Sequence, residues 1–184
     1  MIILKFDVFV RIEHGYTEAT TSERFAFMYE NYERLDRVIE CNKSIFIIML
    51  QSSMMRANWE GYVEKYNWEH KDESIARIEK YIDNGEAIDF EIELGFNPDE
   101  SLIKTYKNIL LMKYDFHIFQ NALECMSGPE KELMVKYIKK EISLSDIADE
   151  KCITYDTAKA RIRDMKKLLK DHTMRFLIDY DQIA

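Results

Sequence analysis

The sequence predicts a mainly α-helical protein, in which an N-terminal helical domain with a small two-stranded β element precedes a second helical unit. Glycine and proline are scarce, at 5 and 2 of 184 residues, and methionine is plentiful at 10. Few helix breakers and many unbranched apolar residues favour long helices over a turn-rich β fold. Over most of the chain, apolar residues recur three and four positions apart, which is the helical period.

Two segments follow the period of a strand instead. Near residues 3–12 and 87–94, apolar and charged residues alternate, so one face of each segment is apolar. We expect the two strands to pair with each other, or with a second copy of the chain. The apolar positions are Leu4, Phe6, Val8, Val10 and Ile12 in the first segment and Ile88, Phe90, Ile92 and Leu94 in the second.

A long helix is predicted to start at about residue 22, between the two strands. Thr20 and Glu23 have capping-box spacing, in which each side chain accepts from a backbone N–H at the helix start. The helix carries apolar residues in a heptad pattern, which suits packing on the protein's own core or self-association. These residues are Phe25, Met28, Tyr32, Leu35, Ile39, Phe46 and Met49.

The two prolines mark the helices that follow. Asn97 is predicted as an N-cap with Pro98 at the first helical position, opening a helix that runs to about Met126. Ser127 and Glu130 repeat the capping-box spacing around the second proline. The predicted domains are therefore an acidic helical domain, residues 1–126, and a C-terminal domain, residues 127–184.

Bulk composition predicts a cytoplasmic protein. The three cysteines, Cys41, Cys125 and Cys152, are odd in number and far apart, which fits a reducing compartment. The longest apolar run, at 45–50, is six residues, whereas a membrane-spanning helix needs about 20. We expect no membrane association.

The sequence contains none of the catalytic or metal-binding motifs that we considered. The four histidines are scattered, and neither a Gly-rich phosphate loop nor a nucleophile elbow occurs. We predict no enzyme activity, cofactor or metal site. An aromatic group flanked by glutamates favours core or interface over a stacking platform for bases; it comprises Trp59, Tyr62, Tyr66 and Trp68.

Three helical patterns with short joints follow residue 130. Ile147 and Ala148 line a short second helix, and Ala158 and Ile162 line a longer third helix whose start Thr154 can cap. A short helix, a tight turn and a longer helix are typical of a helix-turn-helix, although three plain core helices would give the same pattern.

At these residues the chain resembles the DNA-binding fourth region of bacterial sigma factors. The matching run is "GPEKELMVKYIKKEISLSDIADEKCITYDTAKARIRDMKKLLK", about a third of the chain. Together with the preceding "LLMKYDFHIFQNALECM", its layout is similar to late-gene transcription regulators of phages, of the ArpU and RinA type. The resemblance does not reach residues 1–96. Cys152 stands where such turns usually carry glycine, a position that can require positive φ.

The charges are segregated along the chain. The whole chain has 34 Asp and Glu against 26 Lys and Arg, a net charge of −8. Residues 129–172 hold 11 basic against 9 acidic side chains, which is +2 and leaves −10 elsewhere. Within 154–170 the balance is 6 against 2, or +4. The predicted third helix is therefore cationic, although a solvated surface face would show the same charges.

A cationic third helix of this kind would meet DNA with two sets of residues. Its N-terminal residues contact base edges in the major groove, and later cations contact phosphates. The candidates for base contact are Thr154, Tyr155, Asp156, Lys159 and Ala160. The candidates for phosphate contact are Arg163, Lys166 and Lys167, with Lys139 and Lys140 on the flank.

These observations favour a sequence-specific DNA-binding transcription regulator of phage or mobile-element type, whose partner is double-stranded DNA. Its acidic N-terminal domain would form a homodimer or bind RNA polymerase or another host protein. The alternative is a phage-encoded inhibitor or adaptor that acts on a host nucleic-acid enzyme through its acidic domain.

Overall fold

The computed structural model describes residues 16–177, which form a mainly helical structure. The helices are α1 (Thr21–Asn31), α2 (Leu35–Trp59), α3 (Lys65–Glu69), α4 (Lys71–Asn84), α5 (Phe90–Leu94), α6 (Glu100–Glu124), α7 (Gly128–Ile138), α8 (Leu144–Glu150) and α9 (Tyr155–Met174), with a 3-10 turn at Tyr32–Arg34. Within that range, no helix is long and apolar enough to cross a membrane.

The predicted β element is not present among residues 16–177. The predicted strand at 3–12 lies outside the described residues, and the strand predicted at 87–94 is wrong, because α5 occupies it. The Asp89 side chain accepts from the Ile92 N–H at 3.1 Å and caps this helix. Phe90 and Leu94, four residues apart, are buried, whereas Ile92 is 79% exposed, so the apolar spacing follows a helical turn.

The long helix predicted from about residue 22 is divided. The capping box is present: the Glu23 carboxylate accepts from the Thr20 N–H at 2.8 Å, and the Thr20 hydroxyl accepts from the Glu23 N–H. At Asn31 the backbone leaves the helical region, with φ −112° and ψ 9°. The Asn31 side chain donates to the Phe27 carbonyl at 2.8 Å. A local side-chain bond of this type competes with helix propagation.

The chain groups into two compact units. Among the described residues, one unit comprises 16–18 and Arg37–Tyr114, and the other comprises Ala19–Asp36 and 115–177. The C-terminal helices are thus grouped with α1 and with the last part of α6. A domain boundary near Ser127, in the sense of an independently folding segment, stays a prediction.

An aromatic cluster forms the core of the first unit. Phe46 of α2, Phe90 of α5 and Tyr106 of α6 have ring centroids 5.3–6.4 Å apart. Such tilted and edge-on contacts add about 0.5–1.5 kcal/mol per pair beyond the area that the rings bury. Of the predicted heptad positions, Ile39 and Phe46 are buried in this unit and Phe25, Met28 and Leu35 in the other.

Helix α6 begins later than predicted. Its cap is Asp99, whose carboxylate accepts from the Leu102 N–H at 2.9 Å, and not Asn97. Asn97 instead donates to Glu91 at 3.1 Å. The backbone hydrogen bond from Leu102 is the main reason that the pKa of Asp99 lies below its ordinary value.

A second aromatic cluster and a buried ion pair form the core of the other unit. Phe25, Tyr32 and Phe119 have ring centroids 5.7 Å apart in two contacts. Beside them, the Arg24 guanidinium lies 3.2 Å from the Asp115 carboxylate, with 2% and 0% of the side chains exposed. Desolvating two charges in this way requires that both stay paired.

Candidate nucleic-acid interface

Helices α8 and α9 are joined by a tight turn. The Ile153 N–H donates to the Ala148 carbonyl at 2.9 Å, and the Cys152 N–H donates to the Asp149 carbonyl at 3.2 Å. This is the hydrogen-bond pattern of a helix that ends on a left-handed residue. Cys152 has φ 53°, as expected from its place in the turn.

Small and branched apolar side chains hold α8 and α9 together. Ile147 and Ala148 of α8 are buried, and so are Ala158 and Ile162 of α9. Ala158 has no exposed surface, and its small side chain allows the two helix backbones to approach closely. The buried face of α9 continues through Met165, Leu169 and Thr173.

The start of α9 is capped by its own threonines. The Thr154 hydroxyl accepts from the Thr157 N–H at 3.2 Å and lies 2.8 Å from the Thr157 hydroxyl. Both side chains are exposed, as are Tyr155 and Asp156 beside them. The first turn of α9 therefore presents polar and aromatic groups to solvent.

The cations predicted on α9 lie on its exposed side. Lys159, Arg163, Lys166 and Lys167 are exposed, and Ala160 between them is half-buried. Arg163 contacts Asp164 at 3.2 Å in an exposed pair, and such a pair stabilises a protein by only about 0–1 kcal/mol. Within residues 16–177, neither Lys159 nor Lys167 forms an ion pair.

Helix α1 supports α9 through residues that the sequence analysis did not single out. The Lys166 ammonium lies 4.0 Å from the centroid of the Tyr29 ring, and Lys170 donates to the Ser22 hydroxyl at 2.7 Å. Burial, followed by the charge of Tyr137, raises the pKa of Tyr29 to about 12. Ser22 and Tyr29 are seven residues apart and share a helix face, but nothing in the sequence pairs that face with α9.

Lys139 and Lys140 lie at the end of α7, on a different element from the α9 cations. Lys139 is half-buried and 4.0 Å from a Glu141 carboxylate oxygen. Lys140 is exposed and has φ 60°, with its N–H donating to the Tyr137 carbonyl at 3.0 Å. The structure thus brings together the α9 cations and leaves the two flanking lysines at a helix end.

Acidic side chains collect between α7 and α8. Glu141, Asp146, Asp149 and Glu150 line a shallow groove there, with Lys136 among them. The Asp146 carboxylate accepts from the Ser143 hydroxyl at 2.6 Å and from its N–H at 2.8 Å, and these hydrogen bonds lower the pKa of Asp146. The first turn of α8 is therefore occupied by the chain's own carboxylate.

No matching family model, curated protein or solved structure was found for this chain. Among residues 16–177, no three His, Cys, Asp or Glu side chains are grouped so that they could hold a metal ion. The region thus combines a cationic face on α9 with an acidic groove between α7 and α8. Cations spaced along a helix are of a kind that can neutralise phosphates.

Proposed function

We propose that the chain is a sequence-specific DNA-binding transcription regulator of phage or mobile-element type, with α8 and α9 acting as a helix-turn-helix. The observation that carries the proposal is the two-sided character of α9. Ala158, Ile162 and Leu169 hold one side in the core. The opposite side carries exposed cations. The net charge of residues 154–170 as a whole is +4.

The dimensions and chemistry of α9 suit the major groove. That groove is about 12 Å wide and admits one α-helix with its side chains. Tyr155, Asp156 and Lys159 are exposed at the N-terminal end, where a recognition helix reads bases. Lys159 can donate to guanine O6 or N7, a contact worth about 1–3 kcal/mol of discrimination.

The later cations are placed for phosphate contact. Arg163 can exchange its exposed partner Asp164 for a phosphate at little cost, because the pair is solvated. Lys166 is oriented by the Tyr29 ring, which limits the side-chain entropy lost on binding. Lys159 and Arg163 lie one turn apart, so the base-contact and phosphate-contact groups follow each other along one helix.

The acidic groove restricts how DNA can approach. Glu141, Asp149 and Glu150 repel phosphates, and at the start of α8 the Asp146 carboxylate already accepts from the Ser143 N–H. We therefore assign α8 to supporting α9 and give it no phosphate contact.

Selection of binding sites from a random duplex library tests this function. The wild-type chain should enrich one motif. Lys159→Ala should alter the enriched motif, whereas Arg163→Ala and Lys166→Ala should weaken binding to all sequences. Lys65→Ala, which removes an exposed lysine from α3, is the matched control and should bind as wild type. No enriched motif, or wild-type binding by all three α9 variants, would overturn the proposal.

A second candidate function is supported by the first compact unit. Trp59 is 92% exposed, and Tyr62 and Tyr66 are exposed as well. Exposed aromatic groups on an acidic body suit an inhibitor or adaptor that captures RNA polymerase or another host nucleic-acid enzyme. Recovery of one host protein in equimolar amount, by a chain without salt-dependent DNA binding, would favour this candidate.

A further inference from the structure

We propose that two copies of this chain pair through the outward face of α2, in antiparallel orientation and with Ile48 on the twofold axis. The proposal rests on the proposed function and deepens it by naming the surface through which such a regulator forms a dimer. We call the face the α2 stripe. It consists of Arg37, Cys41, Ser44, Ile48, Ser52, Met55 and Trp59.

The α2 stripe is apolar at its centre and one end although it faces solvent. Ile48, Met55 and Trp59 are 62%, 64% and 92% exposed, and they share one side of the helix because they are seven and four residues apart. The opposite side of α2 is buried through Phe46 and Leu50. Helix α2 therefore has an apolar core face and a second apolar face that nothing in residues 16–177 covers.

The exposed apolar area supplies a large part of what an interface requires. Full exposure of an aromatic side chain presents roughly 150–250 Å², so Trp59 and Tyr62 with Ile48 and Met55 expose several hundred Å². Monomeric proteins rarely expose contiguous apolar patches above a few hundred Å². A stable interface buries about 800 Å² on each partner, and the exposed Tyr66 adds to the available surface.

The order of residues in the α2 stripe identifies a second copy as the occupant. Ile48 is midway between Ser44 and Ser52, between Cys41 and Met55, and between Arg37 and Trp59. In an antiparallel pair with its axis at Ile48, Ser44 of one copy therefore faces Ser52 of the other. In the same way Cys41 faces Met55, and Arg37 faces Trp59. The paired segment is about 33 Å long at 1.5 Å per residue. An isologous interface must be self-complementary in this way.

Both serines can be covered without leaving a polar group unsatisfied. The Ser44 hydroxyl donates to the Glu40 carbonyl at 3.0 Å, and the Ser52 hydroxyl donates to the Ile48 carbonyl at 3.0 Å. Each hydroxyl thus already has a hydrogen-bond acceptor within its own helix in the single chain. Small side chains on either side of Ile48 also leave space for the Ile48 of the second copy.

Charge favours the antiparallel orientation over the parallel one. In a parallel pair Arg37 would face Arg37, and like charges at contact repel. In the antiparallel pair each Arg37 lies over a Trp59 ring, a cation–π contact of about 0.5–2 kcal/mol, with the exposed Glu60 carboxylate adjacent. Within residues 16–177 Arg37 forms no ion pair, so its guanidinium can make this contact.

The test is the mass of the full-length chain in solution, measured by sedimentation without DNA. The chain has a mass of 22.0 kDa, and we expect twice that value for wild type. Ile48→Glu should return the mass to that of one chain, because two carboxylates would meet on the axis. Ile92→Glu changes an isoleucine of the same unit that is more exposed than Ile48, at 79% against 62%, and should leave the dimer intact. Circular dichroism confirms that both variants keep their helices.

Orientation is tested by cross-linking in a background with Cys41→Ala, Cys125→Ser and Cys152→Ser. A mixture of Ser44→Cys chains with Ser52→Cys chains should form a disulfide between the two, and Ser44→Cys chains alone should not. A monomeric wild type, an Ile48→Glu chain that stays dimeric, or a disulfide between two Ser44→Cys chains would overturn the proposal. Because no DNA is present, these outcomes are independent of the outcome of the binding-site selection.

Discussion

Helices α2 and α9 bury one face with the same apolar spacing, but their outward faces differ. The exposed side of α9 carries Lys159, Arg163 and Lys167, whereas the exposed centre of α2 carries Ile48, Met55 and Trp59. A charged outward face is stable in water and suits a polyanion, while an apolar one gains free energy by leaving water. The two proposals accordingly give the helices different partners, nucleic acid for α9 and a second copy of the chain for α2.

The largest expected effect is a difference in the free energy of unfolding between substitutions on the buried and outward faces of α9. Leu169 has no exposed surface, whereas its neighbour Leu168 is 41% exposed. Leu169→Ala should lower the free energy of unfolding by about 2–5 kcal/mol, because it leaves a cavity. Leu168→Ala, the matched control, should lower it by well under half of that amount. Urea denaturation measures both, and equal losses would contradict the assignment of the two faces.

A smaller effect is expected at the turn between α8 and α9. Cys152 has φ 53°, which costs a non-glycine residue about 1 kcal/mol. Cys152→Gly should therefore stabilise the chain, by less than that amount because glycine also gains entropy in the unfolded state. Cys152→Val should destabilise it, since a β-branched residue is poorly accommodated at positive φ. Thermal unfolding measures both variants. Midpoint temperatures that shift in opposite directions would confirm the left-handed turn, and shifts of the same sign would contradict it.

The smallest expected effect is a pH dependence in the other unit, at the cap of α6. Since hydrogen bonding lowers the pKa of Asp99 in the folded chain, its contribution is present above the unfolded pKa and is lost as pH falls through the folded value. Asp99→Asn keeps a good cap but does not titrate. Below about pH 4, wild type should therefore lose more stability than this variant. If wild type and Asp99→Asn lost the same stability on acidification, Asp99 would not be the titrating cap.

The sequence predicts helices well where buried positions repeat over several turns, and poorly where a segment is short. Ile147, Ala148, Ala158 and Ile162 are predicted to line the C-terminal helices, and all are buried. The strand predicted at 87–94 failed because one turn of helix and one strand place apolar residues alike over so few positions.

Two features, one in the candidate site and one on α2, could not be predicted from the sequence for a physical reason. The contacts of Lys166 with Tyr29 and of Lys170 with Ser22 join residues more than a hundred positions apart, and local periodicity carries no information on such pairs. Likewise, the α2 stripe has the spacing of a core face, and only its measured exposure shows that it is not one.

The salt dependence of DNA binding tests the central claim most directly, because it counts the phosphates that the proposal assigns to α9. We expect the logarithm of affinity to fall linearly with the logarithm of salt concentration. For Arg163→Ala combined with Lys167→Ala, the slope should be shallower by about 1.8, or 0.9 for each lost phosphate contact. Lys65→Ala combined with Lys80→Ala, outside α9, should keep the wild-type slope. An unchanged slope in the α9 double variant would contradict the assignment of this helix to DNA.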